Sequence, residues 1–83
     1  DKLSMVDRAE QLLLEMGFTQ FRVRIHGELA RIELLPEDIP VIMQPENRLK
    51  VYEKLKEYGF SYVSLDLKGY RTGSMNEVLH TQR

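Results

Sequence analysis

The stretch LLEMGFTQFRVRIHG, residues 13–27, recurs 42 positions later as LKEYGFSYVSLDLKG, residues 55–69. Leu13, Glu15, Gly17, Phe18 and Gly27 are answered identically by Leu55, Glu57, Gly59, Phe60 and Gly69, and Thr19 by Ser61. Phe21, Val23 and Ile25 answer Val63, Leu65 and Leu67; apolar residues at every second position are the spacing of a strand with one buried face. Ahead of Gly17, the residues Val6, Ala9, Leu13 and Met16 fall at helical spacing, and Val51, Leu55 and Tyr58 do the same ahead of Gly59. Each copy reads as helix, left-handed glycine cap, Phe, strand and glycine. Helix–glycine–strand is a common step, so coincidence is the competing reading; five identities at one offset favour a true repeat. A solenoid needs about three repeats, so two copies imply pseudo-symmetric halves sharing one core.

The remaining segments fill in around these halves. Ser4 followed by Asp7 predicts a capped helix start, with Asp a weaker partner than Glu in this box. His26-Gly27 opens a turn, and Ala30, Ile32 and Leu34 alternate as a second strand. Pro36 and Pro40 mark a break with room for one helical turn between Glu37 and Met43, and Pro45 suits the first position of the next helix. GYRTGSMN, residues 69–76, reads as a glycine-rich loop, and residues 77–83 as a flexible tail. The order is αββαβ: a two-layer α+β domain with both helices on one face of a small mixed sheet and the other face free.

Composition narrows the functional classes. The chain has 83 residues, enough for one domain with one compact core. Its net charge of -1 supplies no bulk basic field for nucleic acid or an anionic membrane. It has no cysteine, which excludes a disulfide framework, a thiolate metal site and a cysteine nucleophile. No apolar run approaches the about 18 residues of a membrane span, and no stretch has the order of a signal peptide. The expectation is a cytoplasmic protein.

FRVRIHGELARIEL, residues 21–34, carries the chemistry. If it is a hairpin, Arg22, Arg24, Arg31 and Glu33 share the free face. A four-residue turn sets Arg24 opposite Arg31 and Arg22 opposite Glu33; a two-residue turn at His26-Gly27 sets Arg22 opposite Arg31. Like charges facing each other across strands are destabilising, so either register stores repulsion that a bound anion would relieve. The guanidinium is permanently charged and forks onto carboxylate or phosphate. The competing reading is a solvated face neutralised by Glu33 and other carboxylates.

Other candidates are weaker. Glu10 borders the apolar stripe of the first helix, where a carboxylate acts on a proton or metal, or simply reaches water as a boundary residue. His26 either assists an anion or serves the turn. Arg71, Thr72 and Ser74, between Gly69 and Gly73, offer a guanidinium, hydroxyls and backbone N–H groups of the kind found in anion nests; an ordinary surface turn explains them equally. Asp66 stands at the repeat position of Arg24, and the two pair if their strands are neighbours. The four tyrosines scatter and form no stacking platform.

AEQLLLEMGF, RVRIHGELARIE and YGFSYVSLDLKGYRTGSMN, spread over Ala9 to Asn76, resemble the C-terminal domain of the LarE-type ATP-dependent sacrificial sulfur transferases of the PP-loop ATP pyrophosphatase superfamily. The resemblance implies an enzyme that adenylylates a carboxylate of a pyridinium mononucleotide with ATP and Mg²⁺. Sulfur from an enzyme cysteine then makes a thiocarboxylate, in the biosynthesis of a nickel-pincer nucleotide cofactor. It implies that Arg22 and Arg24 hold the substrate phosphate and that Glu10 and Glu33 lie near the sulfur-transfer site. Arg71 joins the anion site on chemical grounds alone. The SGGxDS ATP loop and the sacrificial cysteine are both missing from this chain. The chain is therefore expected to be inactive alone, with no cofactor of its own. It would work with a PP-loop domain in cis or in trans and contribute to a homo-oligomer. A free-standing anion-binding or protein-interaction module is the alternative.

Overall fold

The computed structural model describes residues 1–71. Helix α1 (Lys2–Glu15) leads into the hairpin β1 (Phe21–His26) and β2 (Leu29–Leu34). A 3-10 turn (Pro36–Asp38) runs into the short α2 (Ile39–Ile42), followed by α3 (Pro45–Tyr58) and β3 (Tyr62–Leu65). The sheet order is β1-β2-β3, with β1 antiparallel and β3 parallel to β2. The α+β architecture with a mixed sheet is the one expected, and α2 is the helical turn expected between Glu37 and Met43.

The repeat has a physical basis at the helix ends. Gly17 sits at φ 102° and Gly59 at φ 120°. The N–H of Phe18 donates to the Leu13 carbonyl and that of Phe60 to the Leu55 carbonyl, each at 3.1 Å. Gly17 N–H reaches Leu14 and Gly59 N–H reaches Lys56. This is the paired-bond glycine stop, in which the residue after the glycine packs on the residue whose carbonyl it caps. Leu13, Phe18, Leu55 and Phe60 are all buried. The matched Leu, Gly and Phe therefore form one device used twice to turn a helix into a strand and seed the core.

Around those four residues the core closes with Ala9, Leu12, Val23, Ala30, Ile32, Leu34, Ile42 and Val51. β1 contributes Val23, and β2 contributes Ala30, Ile32 and Leu34. The register is Arg24 opposite Arg31 and Arg22 opposite Glu33, the first of the two expected, but His26 and Leu29 also pair, so the connection is the two residues Gly27-Glu28 rather than a four-residue turn. The loop also anchors β3. The Glu28 carbonyl accepts from the N–H groups of Ser61 and Tyr62 at 2.9 and 3.2 Å, and its carboxylate accepts from the Ser61 hydroxyl.

Two boundaries differ from the sequence reading. The first helix starts at Lys2 because the Asp1 carboxylate, not Ser4, is the cap; it accepts the Ser4 N–H at 2.8 Å. The last strand stops at Leu65, although Leu67 keeps the alternation. Asp66 accepts the Lys68 N–H on its side chain at 2.9 Å and the Gly69 N–H on its carbonyl at 3.1 Å. Such side-chain closure of a local turn competes with strand pairing, and Leu67 is left 89% exposed. Most of the loop 69–76 and all of the tail 77–83 lie outside the described residues.

Candidate functional site

Strand alternation puts Arg22 and Arg24 of β1, Arg31 and Glu33 of β2, and Ser64 of β3 on the face away from the helices, with Asp66 just beyond β3. Glu33 is the hub. Its Oε2 accepts from Arg31 Nη2 at 3.2 Å and from Arg24 Nε at a longer 3.4 Å. Arg31 Nε also faces Asp66 Oδ2 at 3.6 Å. That distance attracts but makes no hydrogen bond, and Arg31 Nε is buried without an acceptor.

The arginine stack is thus half neutralised from within. Arg24 and Arg31 sit opposite each other and are joined by one carboxylate oxygen placed between them. Because β3 neighbours β2, Asp66 pairs with Arg31 and not with Arg24. Arg22 faces Glu33 in register, yet the Glu33 bonds run to Arg24 and Arg31. Among the described residues Arg22 has no ion pair. Among the described residues three guanidinium groups meet two carboxylates on this face, an excess of one positive charge.

Glu10 is not a member of this cluster. From α1 its Oε2 accepts the backbone N–H of Val23 at 3.0 Å, an N–H that points away from β2 along the outer edge of β1. It holds helix to strand and occupies a hydrogen-bonding position that another chain would use. Arg71 is exposed and follows Tyr70, whose N–H donates to the Leu34 carbonyl at 2.6 Å. Thr72 and Ser74 lie outside the described residues. His26 is exposed at the end of β1. Among the described residues no three His, Asp or Glu side chains gather as a metal site, and no helix is long and apolar enough to cross a membrane.

Fold and site together define a small α+β domain that presents an arginine-rich sheet face. No protein-family model matches the chain. Over 79 residues, 95% of its length, it is 42% identical to pyridinium-3,5-bisthiocarboxylic acid mononucleotide synthase of Lactiplantibacillus plantarum. It is 44% identical over the same extent to an uncharacterized protein of Synechocystis sp.. The resemblance to the LarE-type proteins therefore holds as homology over nearly the whole chain. The chain spans 28% and 30% of the lengths of these two relatives.

Proposed function

We propose that this chain is the substrate-phosphate-binding and assembly domain of a sulfur transferase that makes a thiocarboxylated pyridinium mononucleotide. The observation that carries the reading is the uncompensated guanidinium charge on the hairpin face. Arg22 has no ion pair among the described residues, and Arg31 Nε is buried without an acceptor. A phosphate monoester fits that need: it brings up to two charges and several acceptors, and charge-assisted forked bonds are the strong kind. Homology to a synthase whose name specifies a mononucleotide supports the same ligand class.

In this reading Arg22 and Arg24 grip the phosphate from β1. Arg31 holds Glu33 in position, and Glu33 keeps Arg24 aimed outward. Arg71 lies at the far end of the chain's described path and contributes charge. The PP-loop sequence that would hold ATP is not among these residues. Adenylylation and sulfur donation fall to a PP-loop domain, in cis or in trans, and this chain is inactive without it.

The test is calorimetric titration with a pyridinium mononucleotide and with the matching dephosphorylated nucleoside. The mononucleotide should bind and the nucleoside should not, and Arg22→Ala should weaken the mononucleotide on the order of tenfold, the usual value of one hydrogen bond to a charged group. Equal binding of both compounds, or of neither, overturns the reading.

A further inference from the structure

On the face that carries the arginines, the sheet register sorts the outward residues into rows. Arg22 and Glu33 form one row, and Arg24, Arg31 and Ser64 the next. His26, Leu29 and Tyr62 form the third, at the end where the hairpin turns. The first two rows hold all three guanidinium groups, and the third holds no permanently charged group. Among the described residues Tyr62 is 67% exposed, His26 is exposed and Leu29 is partly buried. Charge close to this row is of the opposite sign. Glu28, in the turn, accepts on its carboxylate from the hydroxyl of Ser61, the residue before Tyr62. Tyr62 is tied to the same turn, since its N–H donates to the Glu28 carbonyl at 3.2 Å. The Ser64 hydroxyl is committed to the sheet itself, donating to the Ala30 carbonyl at 2.9 Å. The face is thus polarised along its strands, cationic over the arginines and aromatic, with a carboxylate at its rim, toward the hairpin turn.

A pyridinium mononucleotide is polarised in the same way. Its phosphate is anionic, its ring carries a permanent positive charge, and one ribose joins the two. Adjacent rows on the face lie two residues apart, about 7 Å along the strand, a span that a ribose bridges. With the phosphate on Arg22 and Arg24, a ring laid over Arg31 would meet a like charge. A ring laid toward the turn meets the Tyr62 phenol, whose π face attracts a cation, with Leu29 beside it and Glu28 at the rim. We propose that the row His26, Leu29 and Tyr62 is the platform for the ligand's cationic ring, and that Tyr62 selects a cationic ring over a neutral one. This inference rests on the phosphate part of the proposed function and deepens it: two ends of one sheet face read the two ends of one dipolar ligand.

Titration of the chain with three probes tests it: inorganic phosphate, nicotinamide mononucleotide, whose ring is cationic, and uridine monophosphate, whose ring is neutral. In isotope-labelled protein all three should shift the Arg22 and Arg24 resonances. Nicotinamide mononucleotide should also shift the Tyr62 ring and the Leu29 methyls, which phosphate leaves in place. Tyr62→Leu should weaken nicotinamide mononucleotide about two- to fivefold, the worth of an exposed cation–π contact, weaken uridine monophosphate less, and leave phosphate unchanged. Tyr62→Phe keeps the π face and should bind like the parent. A Tyr62 ring silent to nicotinamide mononucleotide, equal losses for the two nucleotides, or a Tyr62→Leu chain that binds like the parent overturns the platform and leaves the phosphate site standing. Phosphate that does not reach Arg22 and Arg24 sinks the underlying reading, and the platform with it.

Discussion

The two halves of the repeat use the same device and then part company. α1 and α3 both end in a positive-φ glycine followed by a buried Phe, and each feeds a strand that packs on β2. After the first strand the chain turns back at once and builds a hairpin; after the second, Asp66 closes a local turn. On the free face the first half carries Arg22 and Arg24, and the second carries Ser64 and Asp66 at the corresponding positions. The matched Leu, Gly and Phe account for the similar core contributions of the two halves. The outward residues differ, so one half concentrates positive charge and the other partly offsets it through the Arg31–Asp66 pair. The core therefore tolerates little difference between the halves, while the outer face is where they have been given different work.

The largest test of the shared device is Leu13→Ala against Leu55→Ala. Both side chains are fully buried, so each should cost about 2–5 kcal/mol by chemical denaturation. If one costs nothing, the symmetry of the core is wrong. Next come Gly17→Ala and Gly59→Ala, each expected to cost about 1–2 kcal/mol because a side chain at positive φ is strained. They should differ in a known direction. A Cβ at Gly17 meets nothing within 4 Å, whereas one at Gly59 meets Met5 Sδ and Cε at 3.2 Å. Gly59→Ala should therefore be the worse of the two, and the gap should narrow in a Met5→Ala background.

Smaller effects separate the outer faces. Glu33→Gln removes the carboxylate between Arg24 and Arg31 and should cost about 0.5–1 kcal/mol, since the arginines are half exposed and screened. The same change should raise phosphate affinity, because the anion no longer competes with Glu33; phosphate should then restore more thermal stability to the variant than to the parent. Arg22→Ala should lie within about 0.5 kcal/mol of the parent in stability. A large loss there would make Arg22 structural.

Local signals carried much of this molecule. The glycine stops and the strand spacing of the hairpin follow from residues close together in sequence and the structure reproduces them, while of the two registers that spacing allowed the structure adopts the one with Arg24 opposite Arg31. The errors are instructive in the same terms. Ser4 looked like the cap because the usual box lies around it, but Asp1 is the stronger acceptor three residues earlier. Leu67 continued the alternation, and only the side chain of Asp66 shows why the strand stops. The Arg31–Asp66 pair depends on β3 lying beside β2, and a repeat alone does not fix that order. The bond by which Glu10 closes the β1 edge was likewise invisible until helix and strand were placed. For Glu10 the spacing left open an acting carboxylate or a boundary residue, and the bond it makes, to the Val23 backbone 13 residues away, depends on how α1 lies against β1.

The central claim is that the hairpin face, and not the corresponding face of the second half, receives an anion. Titrating inorganic phosphate into isotope-labelled protein while following backbone amide and arginine Nε–H resonances tests it directly. Shifts should cluster at Arg22, Arg24 and Arg31, spare Tyr62 to Leu65, and fade as added chloride screens the site. Shifts centred on β3 or α3, or no shifts at all, would contradict it.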